Sequence, residues 1–191
     1  MKIFLLAMTA VIVFVGLSLF QEREVTNFPS AGMDIIAFGD SLIEGTGSTK
    51  GGGFVKMLSE DLSVPIINLG VSGDTTRDAL QRISLLDRYD PKVVMVLLGG
   101  NDFLRQVPKE EILANMAKII DEAHKRGAVT LVLDIDDGFE GLAEEKGAAY
   151  VSGMLKGIFG RRNLMSDDFH PNDLGYRLMA DKIKPVLYKY K

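Results

Sequence analysis

Short apolar runs alternate along most of the chain with stretches whose apolar residues recur at helical spacing. Asp34-Ile35-Ile36-Ala37-Phe38 predicts a strand ending at Gly39, and Pro65-Ile66-Ile67-Asn68 predicts a second. Between them, Phe54, Val55, Leu58 and Leu62 fall on one face of a helix. Thr75 to about Leu86 predicts another helix, with Asp74 or Thr75 as its cap. Lys92-Val93-Val94-Met95-Val96-Leu97-Leu98 is continuous and rich in β-branched residues, as a strand covered on both faces requires. Pro108 to Arg126 predicts a long helix, with proline near its start and Gly127 just past its end. A fourth strand at Val129 to Leu133, a short helix at Gly141 to Lys146, a fifth strand at Ala148 to Val151 and a closing helix at Asn172 to Tyr188 complete the pattern. Such alternation predicts an α/β domain, a parallel sheet with helices on both faces. The loops after the strands' C-terminal ends then form the ligand crevice.

The N-terminal segment breaks this rhythm. Ile3 to Phe20 is apolar except for Thr9, Gly16 and Ser18, and would span roughly 27 Å as a helix. Lys2 precedes it and Gln21-Glu22-Arg23-Glu24 follows, a charge order that sends the rest of the chain outward. Residues 1–20 are therefore expected to be a signal peptide, with Gly16-Leu17-Ser18 as a poor cleavage site, or a membrane anchor, which the length favours. Either reading implies export to a periplasmic or extracellular location. The polar stretch 21–32, with Pro29, Ser30 and Gly32 as breakers, reads as a linker to a domain at 33–191. A flexible linker of about 12 residues would reach ~40 Å and bring the crevice near lipid.

Composition narrows the chemistry. The 191 residues include no cysteine and two histidines, which excludes disulfides, thiolate metal sites, a cysteine nucleophile and a multi-histidine metal centre. A formal net charge of −4 without a basic cluster argues against nucleic acid as a partner.

Polar motifs collect at the expected strand ends: Gly39-Asp40-Ser41-Leu42, then Ser72-Gly73-Asp74-Thr75, then Gly99-Gly100-Asn101-Asp102, and Asp167-Asp168-Phe169-His170 just before the last helix. A serine hydroxyl is a weak nucleophile unless a base takes its proton. His124 lies in a charged helical stretch and is expected on the solvated surface, which leaves His170 as the base for Ser41. Asp167, three residues earlier, is the favoured carboxylate to orient the ring, with Asp168 as competitor. The Ser41 and Gly73 backbone N–H groups and the Asn101 amide are candidate donors to an oxyanion. Two other segments read as loops. Gly45 to Gly53 lacks phosphate-loop spacing and is expected to be a mobile loop beside the site. Asp134-Ile135-Asp136-Asp137-Gly138 misplaces the glycine of a calcium loop and reads as a strand-end turn.

Taken together, the four motifs resemble those of the SGNH (GDSL) hydrolases over about residues 33–187, with Ser41, Gly73, Asn101 and the Asp167/His170 pair at the matching positions. Gly-Asp-Thr after the second motif and Gly-Gly-Asn-Asp-Phe-Leu-Arg at the third are most similar to the bacterial acyl thioesterase/lysophospholipase/arylesterase branch. The resemblance implies a flavodoxin-like three-layer sandwich and cofactor-free hydrolysis of acyl esters and thioesters. Outward export and a linker that leaves the crevice near lipid make a long-chain ester such as lysophospholipid the preferred substrate. The segment between the fourth strand and the last motif is short and glycine-rich, which leaves open a carbohydrate O-acetyl esterase. A non-catalytic lipid- or glycan-binding module on the same fold is the reading from another class.

Overall fold

The computed structural model describes residues 24–191. The N-terminal signal or anchor expected at 1–20 lies outside the described residues, among which no helix is long and apolar enough to cross a membrane. Five parallel strands, β1 (Asp34–Gly39), β2 (Ile66–Gly70), β3 (Pro91–Leu97), β4 (Val129–Leu133) and β5 (Ala149–Val151), form one sheet in the order β2-β1-β3-β4-β5. Seven α-helices accompany them among the described residues: α1 (Ser41–Glu44), α2 (Gly53–Leu62), α3 (Thr76–Gln81), α4 (Gly100–Leu104), α5 (Lys109–Lys125), α6 (Glu140–Lys146) and, after β5, α7 (Asp173–Tyr190).

Side chains alternate across the sheet, so each strand feeds two cores. Ile35, Ala37, Val93, Met95, Val129 and Leu131 pack against α1, α2 and α7. Ile36, Phe38, Val94, Val96 and Val132 pack on the opposite face against α3, α5 and α6. This is the three-layer, flavodoxin-type order, and its switch point lies between β1 and β3. The loops that leave those two central strands carry Ser41 and Asn101.

The expected elements are present with ends shifted by one or two residues, except in one place. The helix expected from Thr75 to Leu86 stops at Gln81, and Arg82 turns the chain into a separate 3-10 segment, Ile83–Arg88. Two short helices, α1 and α4, start within the polar motifs that follow β1 and β3 and are not among the expected elements.

Residues 26–32, expected to behave as a linker, form a strap against the domain. Thr26 donates its N–H to the Gly147 carbonyl at 2.9 Å, and Asn27 Nδ2 donates to the His124 and Ala128 carbonyls at 2.8 and 3.0 Å. Ser30 Oγ donates to the Gly127 carbonyl at 2.7 Å, and Phe28 meets Tyr190 edge-on at 5.1 Å between centroids. All these partners lie beside the N-terminal ends of β4 and β5 or at the end of α7. The strap thus occupies the pole opposite the crevice, and the ~40 Å reach of a free chain does not apply to it.

Candidate active site

Gly39 ends β1, and Asp40 turns the chain into α1. The Asp40 carboxylate accepts the Leu42 N–H at 3.0 Å, which caps the helix and leaves Ser41 as its first residue. Ser41 Oγ lies 3.0 Å from His170 Nε2. On the other side of the ring, His170 Nδ1 sits 2.9 and 3.0 Å from the two Asp167 oxygens. Asp167 Oδ1 also accepts the Phe169 and His170 backbone N–H groups at 2.8 and 2.7 Å. The carboxylate therefore closes its own turn, and the ring bond with those two N–H groups holds its pKa down to about 2. A recess of about 340 Å³, flanked by Phe159 and Met165, borders the Asp167–Asp168 turn.

The second motif follows β2. Val71 N–H donates to the Gly39 carbonyl at 3.0 Å, which brings this loop beside the serine turn. Gly73 has φ +86°, a backbone region that suits glycine, and a Cβ there would meet nothing nearer than Arg105 Nη2 at 3.8 Å. The Asp74 carbonyl accepts one Asn101 Nδ2 proton at 2.9 Å, leaving the second amide proton for another acceptor. Arg105 Nη2 donates to the Gly73 carbonyl at 2.9 Å. Buried Asp102 accepts the Thr76 N–H and Oγ1–H at 2.9 and 2.6 Å, a further tie between the third motif and the second.

The glycine-rich loop after α1 is fastened rather than free. Tyr176 Oη donates to the Thr46 carbonyl at 2.6 Å, Ser48 Oγ donates to Asp173 at 2.7 Å, and Thr49 Oγ1 also bonds Asp173. At Gly47, with φ +91°, a side chain would run into Ser166 and Pro171, so the loop lies directly against the histidine turn.

Residues 37–178 match the model of the GDSL-like Lipase/Acylhydrolase family. The chain belongs to that family. It is 27% identical to esterase TesA of Pseudomonas aeruginosa, over 83% of this chain and 89% of that protein. It is 25% identical to thioesterase 1/protease 1/lysophospholipase L1 of Escherichia coli K12, over 81% and 83%. The crystal structure of TesA superposes with a TM-score of 0.79 at 26% identity, covering 83% of this chain and all of that one. The protein is thus an enzyme, a GDSL-like hydrolase acting on ester bonds.

The hydrolase brings Ser41, His170 and Asp167 into one hydrogen-bonded line and ties Asn101 to the residue after Gly73. Asp168, the competing carboxylate, is exposed, and both ring contacts from Nδ1 go to Asp167. His124 differs from expectation: it is half-buried, its Nε2 is enclosed without a hydrogen-bond partner, and burial lowers its pKa. The Asp134 turn is satisfied within the fold by the Phe139 N–H and the Tyr150 hydroxyl at 2.6 and 2.9 Å. Sequence reasoning missed Arg105 and the Asp102–Thr76 tie. Their only sequence signal is their adjacency to Asn101 and to the Gly-Asp-Thr stretch.

Proposed function

We propose that the protein is a serine esterase in which Ser41, His170 and Asp167 form the catalytic triad. The observation that carries this reading is the unbroken path from Ser41 Oγ to His170 Nε2 at 3.0 Å and from Nδ1 to Asp167 at 2.9 Å. Ser41 Oγ attacks the acyl carbon while His170 Nε2 takes its proton, and Asp167 stabilises the imidazolium. The Ser41 and Gly73 N–H groups and the free Asn101 amide proton hold the oxyanion. The tetrahedral adduct collapses as His170 returns the proton to the leaving alcohol, or thiol for a thioester. Water, deprotonated by the same ring, then attacks the acyl-enzyme, releasing the carboxylic acid and restoring Ser41.

The acyl or aryl group is apolar. Val71, Phe103, Leu104 and Phe169 are 43%, 78%, 57% and 51% exposed, and each stands within two or three residues of Gly73, Asn101 or His170. Exposed large apolar side chains next in sequence to the reacting groups favour an apolar ligand. The esterase and thioesterase/lysophospholipase names of the relatives agree with this substrate class. The test is hydrolysis of p-nitrophenyl esters from acetate to palmitate, with Ser41→Ala beside the parent protein. An optimum at medium or long chains, abolished by Ser41→Ala, is expected. An acetate optimum would assign the site to small acyl groups, as in carbohydrate deacetylation, and no turnover from folded protein would make the crevice a binding site.

A further inference from the structure

Arg82 stands at the break between α3 and the 3-10 segment, and its side chain turns back under the crevice. Nε donates to Asp74 Oδ2 at 2.6 Å, Nη1 to the Leu69 carbonyl at 2.9 Å and Nη2 to the Gly39 carbonyl at 2.8 Å. The guanidinium carbon lies 4.3 Å from the centre of the Phe38 ring. The side chains of the ion pair are only 17% and 12% exposed.

Each acceptor leads to a different part of the site. The Gly39 carbonyl belongs to the end of β1, two residues before Ser41, and it also accepts the Val71 N–H. The Leu69 carbonyl lies at the end of β2, where the loop to Gly73 begins. Asp74 follows Gly73, and its own carbonyl receives the Asn101 amide. A single planar group therefore connects the nucleophile turn, the glycine loop and the asparagine. Only a guanidinium has donors fanned in one plane for three such acceptors; an ammonium on a flexible stem does not reproduce that fork.

From this geometry we propose that Arg82 is a positioning residue that holds the oxyanion donors, acting through Asp74 on Gly73 and Asn101. The proposal rests on the serine-esterase reading above and goes beyond it in assigning the hole a support outside the crevice. The three bonds of Arg82 all go to protein acceptors, two carbonyls and a carboxylate, so its role is to position them. Its removal should shift Gly73 N–H and the Asn101 amide relative to the serine, and displacements on the order of an ångström cost up to about 100-fold in rate.

The experiment uses Arg82→Met, Arg82→Lys and Asp74→Asn with a medium-chain p-nitrophenyl ester, and an alkylboronic acid as a tetrahedral-adduct probe. Arg82→Met is expected to lower kcat by about 10- to 100-fold with KM within about twofold, and to weaken boronic acid inhibition by a similar factor. Arg82→Lys should fall between Arg82→Met and the parent. The acid limb of the pH profile should not move, because the Asp167–His170 turn is untouched. Asp74→Asn, which leaves both carbonyl bonds of Arg82 in place, should show a smaller loss of the same kind and carries the test if Arg82→Met does not fold. The proposal is overturned if kcat and boronic acid affinity stay within twofold of the parent in the folded variants, or if KM absorbs the whole effect. An inactive parent protein that also fails to bind the boronic acid would instead overturn the serine-esterase reading, and the positioning role with it.

Discussion

Two carboxylates flank the Ser41–His170 pair, and the site treats them in opposite ways. Asp40 is 2% exposed, and burial lifts its carboxyl to about 7 despite the Leu42 N–H bond and nearby His170, with Asp74 and Asp102 adding to the rise. The Asp167 side chain is 52% exposed, and its bonds to the His170 ring and to two backbone N–H groups pull it down to about 2. The nucleophile half is assembled from chain segments far apart in sequence and enclosed by the sheet. The histidine half is a self-contained turn on the surface, closed by its own aspartate and by the Ser166 N–H to the His170 carbonyl at 2.8 Å. The first half trades solvation for rigidity; the second keeps its carboxylate ionised by local bonds alone.

That contrast is broken most directly at the surface turn. His170→Ala should reduce kcat by about 10⁴-fold or more while lowering the thermal midpoint only modestly, since the backbone and Asp167 bonds that close the turn stay in place. Coincident loss of activity and of the midpoint would mean that the turn holds the fold together as well. Next comes Asn101→Ala on the enclosed half. Loss of one oxyanion donor should lower kcat by about 10²- to 10³-fold, with KM changed far less, as steady-state kinetics would reveal.

Asp40→Asn sharpens the comparison by pH. The native chain holds a proton on Asp40 up to about pH 7, whereas an unfolded aspartate releases it near ~3.9. Stability should therefore fall as pH rises between those values, by on the order of 1 kcal/mol per pH unit at most. The neutral amide escapes this loss, so the variant should gain relative to the parent at pH 8 and lose that advantage at pH 4. Denaturant titration at both pH values checks it, and equal differences would rule out Asp40 as the source. The smallest effect belongs to Asp168→Ala, which should leave kcat within about twofold, since neither ring contact comes from it; a loss comparable to Asp167→Ala would exchange their roles.

The succession of elements and the four motifs were legible in sequence because apolar runs, helical spacing and turn residues are local signals. Ser41, Gly73 and Asn101 could be placed at strand ends, and His170 before the last helix, without knowing a single contact. The ties between them had no such signal: Arg82 reaches Gly39 across 43 positions and Asp102 reaches Thr76 across 26, and no periodicity encodes either. Helical spacing also ran straight through Arg82, where tertiary bonds end the helix. The strap was hidden for a different reason. Thr26, Asn27 and Ser30 look like solvated linker residues, yet their side chains donate to backbone carbonyls at the sheet's N-terminal pole.

That strap sets a direction. The chain enters the domain at the pole where the strands begin, and only residues 21–23 separate the described part from the apolar run at 3–20. The seven-residue β3 alone sets about 23 Å between that pole and the crevice. Anything that holds the protein by its N-terminal end would therefore meet its back, with the mouth on the far side. From such a hold the crevice would take esters from solution or from a facing surface.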